Sequence, residues 1–135
     1  MSKVVMLVGV PGSGKSWVIE RLNGKFEYVS HDTHATKEKL AYSVNAAAQG
    51  HKPVIVDCPF AERELLERLD KLGLPVTPVF IVEKPETVGE RYFQREKRHA
   101  PQATITRAAT IRDRAKEWGA KYGSSSEILK YLLTY

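Results

Sequence analysis

Cysteine is almost absent from this chain: Cys58 is the single thiol. That excludes an internal disulfide and a thiolate metal cage, so the expected setting is a reduced, intracellular one without thiolate-bound structural zinc. The four histidines, His31, His34, His51 and His99, have no metal-like spacing with that cysteine. Long hydrophobic runs are also missing. The apolar stretch Val4 to Val10 is far too short to span a bilayer and runs straight into glycines, so it reads as a buried strand rather than a targeting segment or membrane anchor. No internal repeat, linker or domain boundary divides the 135 residues. They are expected to form one domain, 1–135, which buries roughly two-thirds of the surface its unfolded chain would expose. Acidic side chains are in the minority, 16 Asp and Glu against 21 Lys and Arg, for a net charge of +5.

The most informative residues that are present are Gly9-Val10-Pro11-Gly12-Ser13-Gly14-Lys15-Ser16, which fit the phosphate-loop pattern GxxxxGK[ST]. An apolar stretch, Val4 to Val8, precedes them, and an apolar-periodic one, Trp17 to Leu22, follows. Glycines at Gly9, Gly12 and Gly14 let successive backbone N–H groups close around phosphate oxygens, and the helix that follows points its positive end at the same place. Pro11 and Ser13 complete the loop. Lys15 is expected to reach the terminal phosphates as a point charge, and the Ser16 hydroxyl to contribute to the shell of a magnesium ion. The ligands this predicts are ATP and Mg2+.

Short apolar runs alternate with longer amphipathic ones, the pattern of a parallel sheet covered by helices on both faces. The spacing predicts strands at Lys3 to Val8, Phe26 to Ser30, Pro53 to Asp57 and Val76 to Val82. Helices are predicted at Lys15 to Leu22, Thr33 to Gln49, Ala61 to Leu72 and Pro85 to Arg98. A further helix capped by Thr104 or Thr106 runs to about Ala120, and a short one follows the Gly123-Ser124-Ser125-Ser126 segment.

Ligands in open α/β sheets bind at the carboxyl ends of strands, which singles out three features. Asp57, after Val54-Ile55-Val56, sits where a phosphate-loop protein places the acid that holds magnesium, directly or through water; the structural alternative is a turn or capping Asp before Pro59. Asp32, in Ser30-His31-Asp32-Thr33-His34, is placed to take a proton from an acceptor hydroxyl, or to cap the next helix, or both. Arg91, Arg95 and Arg98 fall at helical spacing, and their guanidinium groups match phosphate oxygens or else form a solvated basic face. They begin a basic stretch, with Lys97, Arg107, Arg112 and Arg114, opposed only by Glu96 and Asp113. Cys58 reads as a packing residue and Trp17 as core, while Trp118 and Tyr122 read as core or a dimer surface in preference to a base-stacking platform.

The run from Val4 through Ser16, with Ser30-His31-Asp32, Val54-Ile55-Val56-Asp57 and the arginines after the fourth strand, resembles the P-loop kinases of the polynucleotide 5′-hydroxyl kinase and zeta-toxin-like group. The likeness is strongest to the kinase domain of bacteriophage polynucleotide kinases. It implies a P-loop NTPase fold: a three-layer α/β/α sandwich with about four parallel strands in the order 2-3-1-4 and a C-terminal helical lid region. It also implies Asp32 as general base, Asp57 as the acid after the third strand, and Arg91 and Arg95 as lid arginines, with Arg98 as an extra. The sequence departs from the group at Ala35, where an arginine commonly helps to hold the acceptor's phosphate.

The expected function is therefore ATP-dependent transfer of the γ-phosphoryl group to a hydroxyl, with DNA or RNA as acceptor. Lys15, Asp32, Arg91 and Arg95 would carry the chemistry, and a cytoplasmic location, including that of an infected host, would follow. Two alternatives stand beside it. One is a small-molecule or nucleotide kinase, although no arginine between Thr33 and Gln49 is available to grip a monophosphate there. The other is a non-catalytic ATP-binding switch.

Overall fold

A computed structural model describes residues 2–31 and 36–135. Val4–Val8 form β1, and all five residues are buried, as a central parallel strand covered on both faces requires. The chain continues through α1 (Lys15–Arg21), β2 (Glu27–Ser30), α2 (Lys37–Ala48), β3 (Val54–Cys58), α3 (Arg63–Lys71), β4 (Val76–Ile81), α4 (Pro85–Glu96), α5 (Gln102–Glu117), β5 (Lys121–Gly123) and α6 (Ser125–Leu133). The sheet is parallel throughout, in the order β2-β3-β1-β4-β5.

Alternation along the strands builds two cores. Val4, Met6 and Val8 join Val54, Val56 and Cys58 under α2, α3 and α5, where Leu40, Val44, Leu65, Leu69, Ile111 and Ala115 pack. Val5, Leu7 and Ile55 face the other way, under α1 and α6, against Val18, Leu22, Ile128 and Leu132. Each such aliphatic side chain contributes about 1.5–3 kcal/mol on burial. The result is the expected α/β/α sandwich of a P-loop fold.

The four expected strands are present in the expected order, and β5 is a fifth, paired through Val79↔Lys121, Phe80↔Tyr122 and Ile81↔Gly123. Lys121-Tyr122-Gly123 has no apolar run, because an edge strand of three residues is held by backbone pairing more than by burial. Other element ends also shift. α2 is capped by Thr36, whose side chain accepts from the Lys39 amide at 3.1 Å, so Asp32 is not its N-cap. α5 begins after Pro101 without a side-chain cap, and Thr104 is buried inside the helix instead. α6 has a full capping box, Ser124 with Glu127. No helix among the described residues is long and apolar enough to cross a membrane.

Candidate nucleotide-binding site

The loop between β1 and α1 has the backbone its glycines were expected to permit. Gly12 has φ of 91° and Gly14 has φ of 99°, left-handed values that side chains rarely adopt. Space enforces the choice as well: a Cβ at Gly12 would meet the Val88 carbonyl oxygen at 2.7 Å, and one at Gly14 would meet Ser125 Cβ at 2.9 Å. Gly9 donates to the Cys58 carbonyl at 3.0 Å, which ties the start of the loop to β3. Its missing Cβ leaves room for the Ser13 hydroxyl, buried 2.6 Å from where that atom would sit. Lys15 and Ser16 then open α1 at the sheet's carboxyl edge.

A cavity of about 200 Å³ lies over this loop, lined by Pro11, Gly12, Gly14, Lys15, Ser16 and the arginines Arg91 and Arg95 of α4. α4 is held there by two devices. Val10 of the loop packs with Val88 of α4 and Ala108 of α5 in a small apolar cluster. Arg91 Nη1 donates to the Ser13 carbonyl at 3.1 Å and lies 3.7 Å from Glu83 Oε1, which also accepts from the Ser125 amide at 2.9 Å and hydroxyl at 3.0 Å. Arg95 is more exposed, pairs with Glu96 at 3.2 Å and lies over the Tyr92 ring. Arg98 lies beyond the helix and does not line this cavity: α4 ends at Glu96, Lys97 turns left-handed at φ 58°, and the Arg98 guanidinium lies over the same Tyr92 ring as that of Arg95.

Asp57 is near the end of β3, in register with Leu7 of β1 and Ser30 of β2. Its carboxylate accepts from the Tyr28 hydroxyl at 2.6 Å and from the His31 amide at 2.9 Å, so it braces the turn that leaves β2. Asp32 follows that turn and lies outside the described residues, as do Thr33, His34 and Ala35. Magnesium takes most of its ligands from phosphate and water and needs one or two protein oxygens. The Ser16 hydroxyl and Asp57 carboxylate are donors of that kind, with Asp57, engaged through both oxygens, suited to contact through water.

Cys58 is fully buried, and burial above all pushes its thiol up to about 12; Lys15 pulls it down, while Glu62 and Asp57 push it further up. The thiol is therefore a packing group at the end of β3.

Glu62 was not legible as a site residue. It is 3% exposed at the N-cap of α3 and contacts His31 Nε2 at 3.2 Å and Lys37 Nζ at 3.4 Å. Its sequence context, Pro59-Phe60-Ala61-Glu62, signals a helix start and says nothing of burial. Glu83 carried a readable signal, a carboxylate directly after the apolar run Val79 to Val82, the same logic that picked out Asp57. Trp17 departs from its expected core role: it is 37% exposed, lines the loop cavity and carries Arg21 4.3 Å from its ring centre, because Val18 takes the buried face of α1. Trp118 does pack, edge-on to Phe80 at 5.5 Å, while Tyr122 stays 37% exposed at β5.

A family model described as 50S ribosome-binding GTPase matches residues 4–107. No curated protein matches the chain in sequence. Among solved structures, a gluconokinase from Sinorhizobium meliloti 1021 aligns with a TM-score of 0.66 and 19% identity, over 98% of this chain and 90% of that one. Shikimate kinase from Acinetobacter baumannii, in complex with shikimate, aligns at 0.62 and 17%, over 99% and 94%. A sugar kinase from Janibacter sp. HTCC2649 aligns at 0.60 and 18%, over 100% and 94%. At these identities the likeness is one of fold.

Proposed function

The chain belongs to the family described as 50S ribosome-binding GTPases, and within that nucleotide-binding frame we propose that it is an ATP-dependent kinase acting on the hydroxyl of a small molecule. The observation that carries this reading is the cavity in which Lys15 and Ser16 of the loop face Arg91 and Arg95 of the same chain's lid. Phosphoryl transfer needs charge neutralisation on the group in flight, and such a lid supplies it in cis. Lys15 and the loop amides would hold the β and γ phosphates, with Arg91 and Arg95 over the γ-phosphate. Ser16 and Asp57 would hold Mg2+, which when bound neutralises phosphate charge. Asp32 would accept the acceptor's proton as its oxygen bonds to the γ-phosphorus, the bond to the β–γ bridging oxygen breaks, and ADP leaves.

A small-molecule acceptor replaces the nucleic acid expected from the sequence. The basic stretch does not present a continuous row of open cations: Arg91 is tied to Glu83 and Ser13, Arg95 to Glu96 and Arg114 to Glu117. Neighbours that share this fold over nine-tenths or more of both chains are named as gluconokinase, shikimate kinase and sugar kinase, which favours acceptors of that size.

GTP hydrolysis is the second reading, favoured by the family match over residues 4–107. Incubation of the protein with Mg2+ and γ-labelled ATP or GTP, alone and with small polyols, hydroxy acids or 5′-hydroxyl oligonucleotides, separates the readings. Label on a small molecule supports the kinase; release of labelled phosphate from GTP, with none transferred, supports the hydrolase.

A further inference from the structure

A second cavity, of about 510 Å³, opens beside the phosphate loop between the start of α3 and the outer face of α5. It is lined by Val10, Phe60, Arg63, Arg107, Arg114 and Trp118, among others. Val10 also lines the cavity over the loop, so the two spaces meet at one residue of the loop itself. From this cavity we infer that the acceptor site selects a small hydroxyl-bearing oxyanion, a carboxylate or phosphate monoester, held by Arg63 and Arg107. The inference rests on the kinase reading and specifies its substrate class.

The charges of the cavity are the first reason. Arg114 is answered by Glu117 at 3.1 Å, whereas neither the Arg63 nor the Arg107 guanidinium enters an ion pair or donates a hydrogen bond among the described residues. Each is instead held by an aromatic ring, Arg107 with its guanidinium carbon 4.8 Å from the Phe60 centroid and Arg63 at 4.8 Å from that of Trp118. An arginine held through a ring is positioned without spending its N–H donors, which remain for the paired oxygens of a carboxylate or phosphate.

Position is the second reason. His31 meets Phe60 edge-on, with ring centres 6.4 Å apart, while Arg107 also contacts that ring. Phe60 therefore stands between the end of β2, which leads in sequence to Asp32, and the arginine face of α5. An acceptor anchored by its oxyanion between Arg63 and Arg107 has the loop residue Val10 on one side and Phe60 beside it, which brings its hydroxyl toward the nucleotide's terminal phosphate. The volume suits a single sugar-sized or ring-sized molecule. Glu117 at the same cavity disfavours a long polyanion.

The test measures kinetic constants of the full-length protein, with ATP and Mg2+, for gluconate, shikimate, glucose 6-phosphate, glucose and a 5′-hydroxyl oligonucleotide, in wild type and in Arg63→Gln and Arg107→Gln. The expected result is transfer to an anionic acceptor in preference to neutral glucose. Each substitution should raise the acceptor's KM by roughly 10-fold to 100-fold and leave the KM for ATP unchanged, which also shows that the variants fold. The gluconate and shikimate arms against the glucose 6-phosphate arm distinguish carboxylate from phosphate. Transfer to glucose or the oligonucleotide with the same KM in all three proteins overturns the inference and leaves the kinase standing. If no acceptor is labelled, the kinase reading fails. The anion site is then decided by calorimetric titration of the same three anions: binding lost in the Arg63→Gln/Arg107→Gln double variant upholds it, and identical isotherms overturn it.

Discussion

Arg91 of α4 donates to the backbone carbonyl of Ser13 in the phosphate loop at 3.1 Å. A side chain 78 positions away in sequence thus closes over the turn that cradles phosphate, and Glu83 steadies it from 3.7 Å. Replacing Arg91 with Ala is expected to lower kcat by roughly 10²–10³-fold, as for other donors aimed at developing charge. Arg91→Lys should restore little, since lysine lacks the planar fork. Steady-state kinetics with ATP varied at fixed acceptor check both.

Gly14→Ala is expected to be damaging on two counts, backbone and space. Its φ is 99°, and the new Cβ would lie 2.9 Å from Ser125 Cβ and 3.2 Å from Arg91 Nη1. Nucleotide affinity should fall sharply and thermal stability with it, measured by titration calorimetry and a melting curve. Gly24→Ala, at a site with φ of 79° and nothing within 4 Å, should show the strain without the loss of nucleotide binding.

Cys58 should resist alkylation in the folded protein at pH 8 and react only after unfolding, since burial raises its thiol from 9.0 to about 12. The linked effect on stability has a defined sign. The folded thiol holds its proton to higher pH than the unfolded one, so this contribution is complete below about 9 and is lost as pH rises from 9 toward 12. Iodoacetamide labelling followed by mass spectrometry, with and without denaturant, checks the reactivity.

Ser124 accepts from the Glu127 amide at 3.2 Å, and Glu127 returns the contact to the Ser124 amide at 3.1 Å. Ser124→Ala is expected to cost about 1 kcal/mol, or roughly 3 to 5 °C in Tm. Glu127 is held below its ordinary value chiefly by its hydrogen bond with the Ser124 backbone, then by that with the Ser124 side chain. Its contribution to stability is therefore present above the ordinary carboxylate range and fades as pH falls through the lowered value.

The phosphate loop and the central strands were readable because each is dictated locally. Positive φ at Gly12 and Gly14 demands glycine, and strands buried on both faces admit few polar residues, as Val4–Val8 and Val54–Val56 show. β5 was hidden because Lys121-Tyr122-Gly123 owes its place to pairing with β4. Arg91 and Arg95 line the loop cavity as their spacing implies, but α4 ends in the left-handed turn at Lys97, and Arg98, beyond it, does not line that cavity. The buried Glu62 and the cavity around Arg63 and Arg107 depend on contacts between segments far apart in the chain, and no local pattern records those. Trp17 lines the loop cavity instead of the expected core, because helical periodicity alone does not distinguish a core face from a cavity face.

The most direct measurement is ³¹P NMR of the full-length protein with Mg2+ and ATP or GTP, with and without small hydroxylated acceptors, in wild type and Asp32→Asn. The expected result is that the γ-phosphate of ATP becomes a phosphomonoester of the acceptor, and that Asp32→Asn binds ATP as well as wild type but loses this turnover. Inorganic phosphate formed from GTP at the same rate with or without acceptor, unaffected by the substitution, would overturn the kinase reading.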